Sequence, residues 1–266
     1  MPTQHDRTRY DRALHGARVS AYAAGEFVGQ ESFMTAGEIR ALAERAGIGP
    51  GVAVLDLCCG VGGPGRLITR ELGCDYLGVD ASASAVAIAR QRAGDQPCRF
   101  AIGQIPPLPG GSFDVVLMLE TLLAFEDKDA LVRAIAAALR PGGRFAFTLE
   151  EGAPLTPGAR AAMPAADTVR PARFDEICTL LERAGLGLAW QADHSAAHLA
   201  TAEALTAAFT ADATRIAAEI GRRALDELLA AHRLWIEWLR EGRVRKLALV
   251  AERVSGRRSR YRAASP

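Results

Sequence analysis

The chain has 266 residues, a length typical of one large domain or of one domain with an appendage. Its 32 Lys and Arg residues nearly balance its 31 Asp and Glu residues, so the formal net charge is +1 at pH 7. Hydrophobic residues make up 49% and charged residues 24% of the chain, which excludes a disordered chain, a collagen-like repeat and a strongly basic nucleic-acid-binding protein. We therefore expect a globular protein without a nucleic-acid partner.

The compartment is predicted from apolar runs and cysteines. No apolar run approaches the ~20 residues that cross a bilayer, and the polar start MPTQHDRTRYDR lacks the apolar core of a signal peptide. The five cysteines are an odd number and include the adjacent Cys58 and Cys59, which is unsuited to a disulfide framework. No Cys or His cluster has the spacing of a zinc site, so no metal is expected. These features predict a reduced, cytoplasmic monomer or homodimer with no membrane partner.

The first 48 residues are predicted to form a helical segment that precedes the main domain. Apolar residues at helical spacing favour helices over 7–24 and 35–47, and the connector EFVGQESFM lies between them at 26–34. After the turn GPG at 49–51, the apolar run VAVLDL at 52–57 ends in an acid and a leucine. Such a run is typical of a strand buried on both faces of a parallel sheet.

Strand-like and helix-like segments then alternate along the chain. The predicted strands are 52–57, 75–79, 98–102, 114–119, 144–149 and 186–191, and the predicted helices are 64–72, 82–93, 127–139 and 173–184. Such alternation indicates an α/β fold with a mostly parallel sheet between two layers of helices. The predicted regions are an N-terminal lid at 1–48, a core at 49–198, a helical insert at 199–243, a last strand within 244–254 and a polar tail at 255–266.

A glycine-rich loop after the first strand carries the clearest chemical signal. The segment from Gly60 to Gly65 satisfies G-x-G-x-x-G, which is a weak indication of a dinucleotide site when it stands alone. Asp56 precedes the loop, where a carboxylate could accept hydrogen bonds from an ammonium group. Asp80 ends the next strand, 20 residues after Gly60, where an acid can hold both hydroxyls of a ribose. A site that binds an amino acid, a ribose and a base in a row would suit S-adenosylmethionine. A carboxylate at Asp56 would not help to bind the pyrophosphate of a dinucleotide.

Five motifs, in this order, resemble those of the class I S-adenosylmethionine-dependent methyltransferases. They are VLDLCCGVGG at 54–63, LGVDAS at 77–82, PLPGGSFDVVLMLETL at 107–122, LRPGGRFAFTLE at 139–150 and FDEICTLLERAGL at 174–186. The connector and the segment WIEWLREGRVRKLALVAE at 235–252 are similar to the small-molecule branch of that family. This branch includes the sarcosine/dimethylglycine-type enzymes and natural-product tailoring enzymes.

The resemblance implies both a fold and an activity. The fold would be a Rossmann-like, seven-stranded and mostly parallel sheet whose last strand runs antiparallel beside the fifth. The N-terminal segment and the insert would form a lid over the carboxyl edge of the sheet. S-adenosylmethionine would donate a methyl group to N, O or C of a small-molecule acceptor in secondary or specialised metabolism, leaving S-adenosylhomocysteine.

The resemblance also implies cofactor contacts at matching positions. Asp56 and Gly60 would meet the methionine end and Asp80 the ribose, while Glu120, after the fourth strand, would face the sulfonium. Gln104 stands where the family has an acid at the adenine amino group, and an amide oxygen can still accept that hydrogen bond. The complete predicted set is Tyr22, Gln30, Asp56, Cys58, Gly60, Gly62, Asp80, Ala81, Gln104, Ile105 and Glu120.

Catalysis would require a base only for a hydroxyl or carbon acceptor. His194 follows the sixth strand at the carboxyl edge and is the first candidate, although it could instead position the following helix. Glu120 is the second candidate. His232 is either a wall of the acceptor pocket or a residue on a helix surface, and Trp235 and Trp238 are either pocket walls or core residues.

Two other functions remain open at the level of sequence. A nicotinamide-dependent oxidoreductase would explain the glycine loop and Asp80, but it leaves Asp56 and the later motifs unexplained. A non-methylating activity on the same fold, with the cofactor as scaffold, is the second alternative, because a fold does not determine a function.

Overall fold

The structure is a computed structural model that describes residues 4–254, so the predicted polar tail at 255–266 lies outside the described residues. Seven strands form one sheet in the order β3-β2-β1-β4-β5-β7-β6. The strands are β1 (Ala53–Leu57), β2 (Asp75–Asp80), β3 (Cys98–Ile102), β4 (Phe113–Met118), β5 (Leu139–Gly152), β6 (Leu186–Asp193) and β7 (Val244–Arg253). From β3 to β5 the neighbours are parallel, whereas β7 is antiparallel to both β5 and β6. The predicted α/β fold and the antiparallel last strand are confirmed.

Helices cover both faces of this sheet, which explains why its central strands are apolar runs. The helices are α1 (Gln4–Ala21), α2 (Ala36–Arg45), α3 (Gly63–Leu72), α4 (Ala83–Ala93), α5 (Lys128–Ala138), α6 (Pro157–Ala162), α7 (Phe174–Arg183), α8 (Ser195–Ala211), α9 (Ala213–Ile220) and α10 (Arg222–Arg240). Leu42 of α2 and Leu67 of α3 are buried with Val54 of β1. Ile135 of α5 is buried with Leu55 in a second cluster. Successive residues of β1 therefore fill two different cores, as the pleat requires.

A third cluster joins the N-terminal helix to the insert. Leu14 of α1 is buried together with Leu205, Phe209, Ile216 and Leu225 of the insert helices. This layer therefore has an apolar interior of its own. Among the described residues, no helix is long and apolar enough to span a membrane.

The largest differences from the predicted elements lie in β5 and in the insert. β5 begins at Leu139 instead of 144, and the RPGG segment forms an irregularity in its pairing with β4, where Gly142 has φ 77°. α8 begins at Ser195, four residues before the predicted start of the insert helices, because the Asp193 carboxylate accepts a hydrogen bond from the Ser195 amide. The short helix α6 was not predicted.

Candidate active site

The loop after β1 turns sharply into α3. Cys58, Gly60 and Gly62 have positive φ angles of 60°, 54° and 74°. A Cβ on Gly62 would lie 2.7 Å from Cζ of Phe100, so the turn and close packing require a glycine here. Gly62 is not part of the lining of the loop cavity described below, and its cofactor contact stays a prediction.

Asp56, at the end of β1, is enclosed beneath this loop. The residue is 2% exposed, and the Tyr76 hydroxyl donates a 2.6 Å hydrogen bond to its Oδ2. Tyr76 fits because Gly65 has no side chain, since a Cβ there would lie 2.2 Å from the tyrosine Cζ. Burial raises the pKa of Asp56 to about 7, although the Tyr76 bond opposes the shift. A bound cation would favour the ionised form of this carboxyl group.

Asp80 ends β2 beside the same loop. Its Oδ2 accepts a 2.9 Å hydrogen bond from the Gly60 amide, and its Oδ1 accepts a 2.8 Å hydrogen bond from the Ser82 amide. Two backbone donors thus fix the orientation of this carboxylate. In the parallel register of β2 and β3, Asp80 stands opposite Ile102. The carboxyl ends of β1, β2 and β3 therefore lie at the same edge of the sheet.

These residues line a cavity of about 220 Å³, which we call the loop cavity. Asp56, Cys58, Gly60, Asp80 and Glu120 all contribute to its wall, as does Gln30. Burial, with neighbouring carboxylates, raises the pKa of the Cys58 thiol to about 12, so this thiol is protonated at neutral pH.

Besides Gly62 and Tyr22, three of the predicted cofactor residues lie outside the lining of the loop cavity. Ala81 and Gln104 are exposed, and Ile105 packs partly against the second core cluster. The loop that carries Gln104 is tied to β2, since the Gly103 amide donates a hydrogen bond to the Asp80 carbonyl. The direct adenine contacts of Gln104 and Ile105 stay predictions.

The connector between α1 and α2 separates the loop cavity from a second one. Gln30 is 3% exposed, and its side chain accepts a hydrogen bond from the Val28 amide and donates to the carbonyls of Glu26 and Met34. All of these bonds are local, so Gln30 holds the connector in shape while lining both cavities.

The connector is also fastened to α1. Glu31 forms ion pairs with Arg7 and with Arg18, the latter at 3.4 Å. The Tyr22 hydroxyl donates a 2.5 Å hydrogen bond to the Ser32 carbonyl. Tyr22 lines only the second cavity, so the structure does not support its predicted contact with the cofactor.

The second cavity, which we call the helix cavity, has a volume of about 250 Å³ and lies under the insert. Its apolar wall includes Leu205, Phe209, Leu228, Ala231 and Trp235. Its polar floor is formed by Glu120, Glu150 and Lys246.

The two tryptophans of α10 have different roles in this region. Their rings pack edge to face, 5.3 Å apart. Trp235 lines the helix cavity, whereas Trp238 is 1% exposed and belongs to a separate apolar cluster. The prediction of a pocket wall therefore holds for Trp235, and the core alternative holds for Trp238.

Glu120 lies on the wall that the two cavities share. Its backbone is left-handed, with φ 53°. Its Oε2 accepts a 3.0 Å hydrogen bond from the Phe33 amide, and its Oε1 lies 3.2 Å from Nζ of Lys246 and 3.2 Å from Nδ1 of His198. Burial raises the pKa of Glu120, but the two cations outweigh burial and hold it well below its usual range. Glu120 lines the loop cavity, and its contact with the sulfonium stays a prediction; it is poorly suited as a base because both of its oxygens are occupied.

His198 is the buried partner that the sequence analysis did not select as functional. It is 2% exposed, and its Nε2 lies 3.3 Å from Oε2 of Glu38 on α2. These contacts are ion pairs without good hydrogen-bond geometry. Burial lowers the pKa of His198, but its contacts with the Glu120 and Glu38 carboxylates raise it to about 9. The ring is therefore a cation at neutral pH.

His194 does not reach either cavity. Its amide donates a hydrogen bond to the Lys246 carbonyl, it caps α8, and its Nδ1 lies 2.9 Å from Oε1 of Glu38. This place favours the alternative, in which His194 positions the following helix, and its role as the base stays a prediction. The rings of His194 and His198 both contact the Glu38 carboxylate.

Lys246 was also missed by the sequence analysis. It is 3% exposed on β7, and its Nζ donates hydrogen bonds to Glu150 at 2.9 Å and to Glu120 at 3.2 Å. Burial lowers the pKa of Lys246, but the two carboxylates outweigh this effect and raise it. The position of Lys246 directly before the apolar run at 247–251 was the signal that could have indicated its burial.

His232 lies in the apolar wall of the helix cavity. Its ring packs edge to face on Phe33 and Phe209, and its Nδ1 lies 2.9 Å from the Leu228 carbonyl. A carbonyl can only accept, so Nδ1 carries the proton and Nε2 the lone pair. Burial lowers the pKa of His232, which leaves a neutral imidazole at pH 7. Within residues 4–254, no group of three or more His, Cys, Asp or Glu side chains is arranged to hold a metal ion.

Comparisons with known proteins agree with this architecture. A family model described as a methyltransferase domain matches residues 55–147. Methyltransferase GfsG of Streptomyces halstedii is 31% identical over 179 residues, and this match covers 63% of the chain and 64%, less than two thirds, of that relative.

Two crystal structures share the fold. A proposed sarcosine dimethylglycine methyltransferase from Galdieria sulphuraria has a TM-score of 0.77 at 15% identity, covering 92% of this chain and 98% of the other. The [4+2]-cyclase SpnF has a TM-score of 0.73 at 23% identity, covering 96% and 98%. At these identities the two structures establish the fold alone.

Proposed function

We propose that this chain, which contains a class I S-adenosylmethionine-dependent methyltransferase domain, transfers a methyl group from S-adenosylmethionine to N, O or C of a small molecule. The observation that carries the proposal is the pair of adjoining cavities. The loop cavity presents Asp56 and Asp80, whereas the helix cavity has an apolar wall, and both are lined by Gln30 and Glu120. A donor and an acceptor bound in them would meet at this shared wall.

The residues of the loop cavity fit the donor. Asp56 is a buried carboxyl group that an ammonium group would ionise, and Asp80 is a carboxylate oriented by two amides at the end of β2. These are the groups that would hold the amino-acid and ribose parts of S-adenosylmethionine. When bound, the cofactor supplies an already activated methyl group. The protein's task is therefore to align the reactants and to exclude water.

The connector and the insert would perform that task. Phe33 and Trp235 enclose the floor of the helix cavity, and the ion pairs of Glu31 hold the connector against α1. We propose that these elements act as the lid. The predicted division of the chain into lid, core and insert is part of this proposal.

We propose His232 as the base for a hydroxyl or carbon acceptor. It is a neutral imidazole on the cavity wall, with the lone pair on Nε2. An amine acceptor would need no base, because a neutral amine is itself the nucleophile. His232 thus replaces His194 and Glu120 as the candidate for proton transfer.

The experiment is an assay of S-adenosylhomocysteine release by the purified chain with S-adenosylmethionine and a panel of primary alcohols, phenols and amines. We expect release that depends on the acceptor and stops in Ala231→Trp, which fills the helix cavity but leaves the loop cavity intact. Conversion of an acceptor without consumption of the cofactor would overturn the proposal in favour of a non-methylating activity. Acceptor oxidation with a nicotinamide cofactor would overturn it in favour of an oxidoreductase.

The cellular setting is also proposed. The near-zero net charge and five unpaired cysteine thiols support a cytoplasmic protein that acts on small molecules rather than on nucleic acids, as a monomer or homodimer. We also propose a role in specialised, natural-product metabolism, which the apolar wall of the helix cavity supports.

A further inference from the structure

On the floor of the helix cavity, Glu150 is the carboxylate that has one oxygen without a hydrogen-bond partner. It is 1% exposed on β5 and stands directly opposite Lys246 in the β5–β7 register. Its Oε1 accepts the 2.9 Å hydrogen bond from Nζ of Lys246. Its Oε2 is buried and has no hydrogen-bond partner among residues 4–254.

A buried carboxylate oxygen without a partner is costly, and native proteins rarely keep one without a function. Glu120, on the same floor, differs in this respect because both of its oxygens are occupied. The unused acceptor in the helix cavity is therefore specific to Glu150.

The charges around Glu150 decide which ligand groups fit. Lys246 neutralises only part of the charge of Glu120 and Glu150, and behind them the protonated His198 is balanced by Glu38. Three carboxylates thus face two cations at this end of the cavity, while Arg18 and Glu31, which also line the cavity, pair with each other. The remaining negative charge attracts a hydrogen-bond donor or a cation and repels an anion.

We propose that Oε2 of Glu150 recognises the methyl acceptor by accepting a hydrogen bond from a hydroxyl or amine group of it. This inference rests on the proposed function and specifies its substrate class. The rest of the acceptor faces Leu205, Phe209, Leu228 and Ala231 and is therefore apolar. The substrate class is an apolar molecule that carries at least one O–H or N–H donor and no carboxylate or phosphate at that end.

The test uses small probes and does not require the true acceptor. Titration calorimetry on the full chain, with S-adenosylhomocysteine present, compares 1-hexanol with methyl pentyl ether, which has the same composition but no donor. We expect 1-hexanol to bind at least about tenfold more tightly, because a hydrogen bond to a charged acceptor is worth that much. Hexanoate should bind most weakly. Whether hexylamine or 1-hexanol binds more tightly distinguishes an ammonium donor from a hydroxyl donor.

The matched variants are Glu150→Gln and Glu151→Gln. Glu151 is the next residue of β5 and pairs with Arg245 at 2.9 Å, outside both cavities. Glu150→Gln should reduce the preference for 1-hexanol over the ether to less than about threefold, and Glu151→Gln should leave it unchanged. Equal affinities of the alcohol and the ether in the wild type would overturn the proposal, even if Glu150→Gln failed to fold. A full preference in folded Glu150→Gln would also overturn it.

Melting temperatures of the same samples distinguish a failure of the Glu150 proposal from a failure of the methyltransferase function. If S-adenosylhomocysteine raises the melting temperature but the probes show no preference for a donor, only the role of Glu150 is wrong. If S-adenosylhomocysteine has no effect on the melting temperature, the methyltransferase function itself is wrong.

Discussion

The assignment of the loop cavity to the methyl donor depends on two side chains, Asp56 in β1 and Asp80 at the end of β2. Asp80 is fixed by the amides of Gly60 and Ser82, so its orientation does not depend on a ligand. Asp56 is held by Tyr76 in the core. Both carboxyl groups are thus preorganised, which reduces the entropic cost of binding.

Asp80→Asn should weaken the binding of S-adenosylhomocysteine by about 1.5–3 kcal/mol, a roughly ten- to hundredfold higher Kd, because an amide replaces a charged acceptor. Titration calorimetry provides the measurement. The control is Asp75→Asn at the other end of β2, where the residue is exposed and pairs with Arg99. Equal affinities in the two variants would show that the ribose site is misplaced.

His232→Phe should lower kcat by roughly 10²–10⁴ for a hydroxyl acceptor, because it removes a base and keeps an aromatic ring of similar size. His194→Phe should keep most of the activity, since its ring faces Glu38 outside the cavities. The pKa of His232 lies below that of an ordinary histidine, so wild-type activity should rise with pH through a value below 6.5 and then level off. A pH–rate profile of the three proteins is the measurement. Strong loss in His194→Phe alone would return the role of base to His194.

At the scale of elements, a chain of ionised groups links five segments around the shared wall. Glu38 of α2, His198 of α8, Glu120 after β4, Lys246 of β7 and Glu150 of β5 contact one another in that order. The Phe33 amide adds the connector to the same network. Because each cation lies between two carboxylates, the loss of one cation affects several elements at once.

Lys246→Met should lower the free energy of unfolding by about 3–5 kcal/mol, because it leaves the buried Glu150 without a cation and Glu120 with His198 alone. Arg245→Met is the matched control on the neighbouring residue, which forms a half-exposed pair with Glu151. That variant should cost at most about 1 kcal/mol. Urea unfolding at pH 7 measures both, and equal losses would contradict the importance of the buried network.

His198 should make stability depend on pH. Its pKa of about 9 in the folded state lies above the ordinary value of 6.5, so its contribution is fully present below pH 6.5 and is lost as the pH rises through 9. The loss amounts to about 3 kcal/mol for a shift of this size. Urea unfolding at several pH values should therefore show the wild type losing its advantage over His198→Gln between pH 6.5 and 9. A constant difference across that range would mean that the ring is not held as a cation.

At the scale of the whole molecule, the sheet was predictable because its signals are local. Short apolar runs, glycine turns and amphipathic helices each lie within a few residues of sequence. The antiparallel position of β7 beside β5 was implied by the resemblance to the methyltransferase family, and the observed strand order agrees with it. The start of β5 was missed because the RPGG segment has the composition of a turn but continues the strand with an irregularity.

The functional floor of the helix cavity was less predictable, because its contacts join distant parts of the chain. Glu120 and Lys246 are 126 residues apart, and Glu150 and Lys246 are 96 apart. No spacing rule connects such positions. His194 was preferred to His232 because its place after β6 suggested the carboxyl edge, whereas the direction of its ring depends on the packing of α2 against α8.

The measurement that tests the central claim most directly is the melting temperature of the full chain with S-adenosylhomocysteine and, separately, with NADH. A ligand that binds only the folded state stabilises it by about 2.7 kcal/mol at a hundredfold excess over Kd. We predict a rise in melting temperature with S-adenosylhomocysteine that is reduced in Asp80→Asn, and no change with NADH. A rise with NADH and none with S-adenosylhomocysteine would contradict the assignment of the loop cavity to the methyl donor.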